Sequence, residues 1–346
     1  MVAVIGAYFW LRPRSVHLPE AYVSERSAIL WSSLAQVRQP MATLHYGQRV
    51  TVLVRRGEQV HVRTRQGVTG WLDARLLVEP ALWERSAQLL AQARSMPVQA
   101  RGHTKVVSNL RIDPGRAAAR IYQLNRGTGV EVLSRTVAEW YTPGDDSQAP
   151  KESGEEQKPR REDWLLVRGF ASSAAGPGGL GGGAARGEES PGSARPEELV
   201  EVAGWVLGRF VELDPPGPIH DYASSSGLRA VAWLELNRVP DGAGEKPQYL
   251  TAGVHGSEGQ ACDFTLIRVY TWGARHKRYE TAYIESGLCG RLPIRAAKAA
   301  NGEPEFHFSA VGKTGFEERL YRMRQNVVRR VRESQESSAK TPHESR

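Results

Sequence analysis

Cysteine is nearly absent from this 346-residue chain, with Cys262 and Cys289 its only two. Two thiols exclude a disulfide framework of the kind that staples small secreted domains, and they exclude a zinc site unless several other ligands join them. One bridge between Cys262 and Cys289 is a possible structural use. Lysine is missing where positive charge is richest. The first 140 residues carry 19 basic and 9 acidic side chains, an excess of ten against +8 for the whole chain, and Lys105 is the only lysine among them. The arginines stand singly along alternating segments (Arg49, Arg55, Arg63, Arg75, Arg111, Arg126), without the unbroken basic run of a nucleic-acid tail. No nucleic-acid partner is expected. The charge suits solvated strand faces, and it permits contact with anionic headgroups or acidic wall polymers.

No apolar run is long enough to span a bilayer. Met1 to Leu11 (MVAVIGAYFWL) reaches roughly 16 Å as a helix, about half of a ~30 Å hydrocarbon core, before meeting Arg12, Pro13 and Arg14. It lacks a leading basic segment, and its arginines lie on the wrong side for export. Residues 1–19 therefore read as the last part of a longer signal or anchor segment, the alternative being a hydrophobic N-terminus that packs on a cytoplasmic body.

Catalytic spacing is missing as well. Among nine histidines none lies three or four residues from another, which removes the helical metal-binding motifs. Gly176, Gly178 and Gly181 satisfy a dinucleotide-loop pattern, but no helix can follow them. Gly312-Lys313-Thr314 has the end of a phosphate loop with His307 where its first glycine must stand. His255-Gly-Ser257-Glu-Gly259 falls one glycine short of a nucleophile elbow. The cysteines lie in strand-like sequence rather than at a helix start. The expectation is no enzyme, no cofactor and no metal, with a hydrolase gathering His255, Ser257 or Asp263 beside a base as the alternative.

What is present is an internal duplication. Gly47-Gln-Arg-Val-Thr-Val-Leu53 matches Gly127-Thr-Gly-Val-Glu-Val-Leu133, and Val60 to Arg63 matches Leu165 to Arg168. Gly70-Trp71 to Leu77 then matches Gly204-Trp205 to Val211. Short alternating strands separated by glycine turns are the pattern of a small all-β barrel. In these residues, and in Ser108-Asn-Leu-Arg111 at the start of the second copy, the sequence resembles tandem bacterial SH3-like domains; Ala28 to Trp31 in the first copy departs from that pattern. Pro80 to Arg94 has helical apolar spacing and reads as a linker helix. From about Leu228 the strands lengthen into an antiparallel meander or sandwich, with turns expected at Asp241-Gly242, Trp272-Gly273 and Asn301-Gly302. Arg278-Tyr-Glu-Thr-Ala-Tyr283 makes this part similar to exported or lipoprotein-like bacterial proteins, although no N-terminal cysteine is available for lipidation.

The expected fold is thus all-β: a first SH3-like barrel over 20–79, a helix over 80–97, and a second barrel over 98–214. A C-terminal β region follows over 226–332. Disordered insertions are expected at about 141–160 and 169–198, where glycine and acidic residues dominate, with a polar tail over 333–346. The resemblance implies a binding or scaffold protein on the extracytoplasmic, periplasmic side, anchored by its N-terminus, whose barrels contact peptidoglycan or another cell-wall polymer, or an envelope protein. An envelope hydrolase with SH3-like targeting modules and a cytoplasmic adaptor for acidic partners are the alternatives. Grooves of such barrels are lined by aromatics, which gives Tyr46, Trp71, Tyr122 and Trp205 as ligand-binding candidates. Position alone also fits Trp71 and Trp205 as core plugs. Oligomeric state is not legible.

Overall fold

The structure is a computed structural model in which residues 19–140, 160–171, 200–225 and 227–331 are described. The expected anchor segment, both insertions and the tail fall outside these residues except at their edges. The chain divides into two compact units, one of residues 1–88, 121–123 and 171–201, the other of residues 89–120, 124–170 and 202–346.

All-β architecture is what the sequence requires and what forms. Three seven-stranded antiparallel sheets account for every described strand. The first contains β1 (Glu20–Val23), β2 (Ser27–Trp31), β3 (Pro40–His45), β4 (Arg49–Arg56), β5 (Gln59–Thr64), β6 (Thr69–Asp73) and β7 (Leu77–Val78), in the order β3-β2-β6-β5-β4-β1-β7. Its core is Val23, Leu30, Leu44, Val50, Val62 and Leu72 with their neighbours. The period-2 pattern does this directly: in Gln59–Thr64 the buried residues are Val60, Val62 and Thr64, which one sheet face removes from water. Ala28 to Trp31, the segment with the weakest resemblance, is β2, the second strand.

The second sheet has β8 (Ala100–Thr104), β9 (Ser108–Arg111), β10 (Arg120–Leu124), β11 (Gly129–Trp140), β12 (Arg160–Ala171), β13 (Val200–Leu207) and β14 (Val211–Leu213). Their order, β10-β9-β13-β12-β11-β8-β14, is that of the first sheet with each number raised by seven. The copies share irregularities too. A register shift separates Val52 from Val54 in β4 and Val132 from Ser134 in β11, at matching places in the two motifs. A 3-10 turn follows each Gly-Trp strand, at Ala74–Leu76 and Gly208–Phe210.

Helix α1 (Pro80–Ser95) lies between these sheets in sequence. Its Trp83 is stacked on Tyr22, with ring centroids 5.1 Å apart and planes within 4°. A side chain at Gly47 would meet the Trp83 ring at 3.0 Å, and Gly47 also has φ +76°, so both the turn and the packing call for glycine there. Further along, Leu89, Leu90 and Ala93 pack with Leu133, Leu166 and Ala203. A short α2 (Gly217–Ser225) precedes the third sheet; its sequence carried no helical signal strong enough to place it.

The third sheet is a strict meander of β15 (Arg229–Asp241), β16 (Gly244–Val254), β17 (Phe264–Gly273), β18 (Arg278–Lys298), β19 (Pro304–Val311), β20 (Phe316–Arg324) and β21 (Val327–Val331). Its core stacks Phe306 on Tyr321 at 4.9 Å and sets Phe264 edge-on to Phe308. Turns fall at Gly242 and Gly302, both with positive φ. Trp272-Gly273 departs from expectation: it ends β17, and the chain reverses after it, where Lys277 takes positive φ.

Most of the second sheet shares a unit with the third, and buried polar contacts join them there. The Gln99 side chain donates to the Ile294 carbonyl at 2.9 Å and accepts from the Ile294 amide at 2.7 Å. It thus imitates one rung of a β-ladder, while its own carbonyl accepts from the Trp233 amide. Cys262 and Cys289 form a disulfide, with Cα atoms 4.9 Å apart.

Candidate functional site

The four aromatic candidates do not assemble as two grooves. Tyr46 packs on Trp83 and lies edge-on to Tyr122, which falls in the same unit, at 5.3 Å. Burial raises the Tyr46 hydroxyl pKa strongly, and raises that of Tyr122 to about 12. Tyr122 is only 3% exposed and offers a ligand no face. Its strand turns the Tyr122 ring inward, where it packs against Tyr46.

Trp71 has the opposite fate. In Thr69–Asp73 the inward positions are Gly70 and Leu72, so the tryptophan between them points out of the sheet. It is not a core plug. The glycine before it is dictated by packing: a Cβ at Gly70 would lie 2.6 Å from Leu30 Cγ and 2.7 Å from the Trp31 carbonyl oxygen. Cross-strand registry then builds an outward row. Trp71 is opposite Trp31 on one side and His61 on the other, His61 is opposite Val54, and Trp31 is opposite Pro40. The Arg38 guanidinium lies over the Trp31 ring at 4.3 Å, and that of Arg56 over Trp71 at 5.5 Å. Neighbouring Ile29 is 42% exposed. The result is a stripe of flat apolar surface carrying two cations that keep N–H donors free for anions.

The same registry in the second sheet gives a different surface. Trp205 is opposite Arg111, where the first copy has Trp31, and Leu166 is opposite Ser134, where the first copy has His61 and Val54. Leu166 is buried, and Trp205 packs against the cluster formed with Leu89, Leu90 and Ala93 of α1. This face is covered by the chain itself. Trp205 is half-buried against this cluster, whereas among the described residues no such helix residues pack on Trp31 and Trp71 of the first sheet.

Sequence reasoning missed a buried ionic cluster in the second unit. Arg135 donates through Nη2 to Asp163 Oδ1 at 2.6 Å and through Nη1 to Asp263 Oδ1 at 2.7 Å, all three side chains being nearly inaccessible. Asp163 also accepts from the Gly259 amide, and Asp263 from the Leu292 amide. These bonds fix the 255–263 loop. Asp263 thus spends its carboxylate on Arg135 and the Leu292 amide, and the His255 carbonyl accepts from Gln260 Nε2. Gly312 to Thr314 form the hairpin turn between β19 and β20. Neither cysteine is a free thiol. Among the described residues no group of three or more His, Cys, Asp or Glu is placed to hold a metal, and no helix is long and apolar enough to cross a membrane.

No known protein family matches this sequence, and no curated protein matches it either. Among solved structures the chain is similar to an NlpC/P60 family protein from Bacillus cereus ATCC 10987, with 15% identity and a TM-score of 0.20 over 64% of this chain and 65% of that one. It thus spans just under two thirds of the Bacillus protein. Similarity also extends to NlpC2 of Trichomonas vaginalis (9% identity, 87% and 91% of the two chains, TM-score 0.16) and to NlpC1 of the same organism (9%, 89% and 89%, 0.17). Scores this low do not establish a common fold.

Proposed function

We propose that this chain is a non-enzymatic binding protein of the bacterial cell envelope, and that its first sheet, an SH3-like module, contacts a cell-wall polymer. The observation that carries this is the outward row Pro40, Trp31, Trp71, His61 and Val54 with Arg38 and Arg56 over its rings. Rigid aromatic faces take the C–H faces of sugar rings at low entropic cost, and guanidiniums take the carboxylates of an acidic glycan. A peptidoglycan strand offers both. The bonded pair Cys262–Cys289 supports an oxidising, extracytoplasmic location, since structural disulfides are rare in reducing compartments.

Co-sedimentation of the full chain with insoluble peptidoglycan tests the reading, at low and at high salt. The expected result is retention that survives salt in the wild type and is lost in a folded Trp31→Ala/Trp71→Ala variant. Retention abolished by salt alone reduces the contact to arginine electrostatics, and no retention at all contradicts the proposal.

A further inference from the structure

A second site lies in the first unit, on the outward face of the first sheet but apart from the Trp31–Trp71 row, from which the row Thr69, Arg63 and Thr51 separates it. It does not depend on the polymer reading. A pocket of about 550 Å³ is lined there by Tyr22, Gly47, Gln48, Arg49, Arg65 and Gln66, a volume in the range of small-molecule sites. Strand register brings these residues together. Tyr22 of β1 is opposite Arg49 of β4, and Val50, the residue after Arg49, is opposite Thr64, the last residue of β5. Arg65 continues that register into the turn and so starts beside Arg49. Ala21, Val23, Val50 and Thr64 are buried, and alternation turns Tyr22, Arg49 and Arg65 to the outward face. Neighbouring strands lie about 4.8 Å apart, less than the length of an arginine side chain, so both guanidiniums can meet on one ligand group.

Positive charge is left over here. No carboxylate lines the pocket, and Glu79 and Glu84 at the start of α1 are not on its wall. Glu20, at the rim, accepts from Arg49 Nη1 at 3.2 Å, an ion pair with both side chains partly exposed. The other N–H donors of that guanidinium stay uncommitted among the described residues. Arg65 has no ion pair among the described residues, and exposed Arg63 in the adjoining row adds a cation rather than an acid. Gln48 Oε1 accepts from the His45 amide at 3.1 Å, which leaves its Nε2 as a donor. The wall is thus rich in donors and holds no acid. Like charges on neighbouring strands repel, and an oxyanion between two guanidiniums removes that repulsion while taking their donors. Tyr22, held by its stack on Trp83, supplies a flat wall for whatever body carries the anion.

We propose that this pocket binds an oxyanion carried on a small polar body, with Arg49 and Arg65 gripping the oxyanion and Gln48 and Gln66 the body's hydroxyls. A sugar phosphate and a uronic acid share that chemistry. Isothermal titration of the full chain separates them with three probes: glucose-6-phosphate, glucuronate and glucose. At least one of the anionic sugars is expected to bind at one site per chain, ~10-fold more tightly than glucose. Arg49→Gln/Arg65→Gln is expected to erase that preference, whereas Arg55→Gln/Arg63→Gln, which removes the same charge from outside the pocket, is expected to keep it. All four side chains reach solvent, and circular dichroism verifies that the variants are folded. Trp31→Ala/Trp71→Ala is expected to titrate as wild type, which keeps this test separate from that of the polymer face. Binding of glucose-6-phosphate alone assigns a phosphate, binding of glucuronate alone a carboxylate, and binding of both assigns the shared oxyanion. Equal affinity for anionic and neutral sugar, no binding of any probe, a preference that survives Arg49→Gln/Arg65→Gln, or a loss shared by the Arg55→Gln/Arg63→Gln or the tryptophan variant overturns the proposal.

Discussion

Trp31 and Trp71 stand directly opposite each other on β2 and β6, and each carries an arginine over its ring, Arg38 at 4.3 Å and Arg56 at 5.5 Å. Strand backbone holds both rings, so little freedom remains to be lost when a flat ligand settles on them. In the second sheet the matching pair is Arg111 and Trp205, and helix α1 packs on the cluster to which Trp205 belongs. Similar registry therefore gives one open face and one covered face.

Replacing Trp71 or Trp31 with alanine removes an outward side chain and leaves the core of Leu30, Val62 and Leu72 intact. The expected stability loss is within about 1 kcal/mol in urea titrations. Affinity for the polymer is expected to fall ~10-fold or more, as for a central aromatic anchor.

Arg135→Met has the reverse profile. Two buried carboxylates, Asp163 and Asp263, lose their common partner, and breaking such a pair costs about 3–5 kcal/mol. Urea unfolding checks this. Adding Asp163→Asn and Asp263→Asn to that variant removes the stranded charge and is expected to recover part of the loss.

Reduction of Cys262–Cys289 opens a link between residues 27 apart in sequence. In the chain-entropy view such a loop contributes about 3.5 kcal/mol. Unfolding of the Cys262→Ser/Cys289→Ser variant is expected to show a loss of that order, with polymer binding by the first sheet unchanged at temperatures where the protein is folded.

Acid sensitivity is expected at Glu162. Hydrogen bonds from Arg116, and then Arg209, lower its pKa below the usual 4.5 against an opposing contribution from burial. The folded state thus binds fewer protons here than the unfolded chain. The stabilisation is fully present above the unfolded value and is lost as pH falls through the lowered one. Unfolding followed from pH 7 to pH 3 is expected to show a shallower acid decline in Glu162→Gln than in wild type.

The parts of this fold that were legible in sequence are those written locally. Glycine turns, period-2 alternation and the Gly-Trp strands carry the all-β class, and apolar spacing places a helix over 80–97, within which α1 runs from Pro80 to Ser95. What was not legible depended on partners distant in sequence. Trp31 lies in the segment least like the motif, and only its pairing with β6 makes it the neighbour of Trp71. Arg135 stands in a strand-like segment with no local acidic partner to mark it, and its partner Asp263 is 128 residues away. Strand β18 runs 21 residues, but Gly287, Gly290 and Pro293 interrupt its pattern, and a register shift between Arg291 and Arg295 absorbs the proline. Tyr46 and Tyr122 were candidates because aromatics line grooves, and they serve equally well as packing.

The most direct measurement is hydroxyl-radical footprinting of the full chain with and without soluble peptidoglycan fragments, read by mass spectrometry at individual tryptophans. The account predicts that oxidation of Trp31 and Trp71 falls on ligand addition while that of Trp205 is unchanged. Unchanged oxidation of Trp31 and Trp71 in a chain that demonstrably binds the fragments would contradict it.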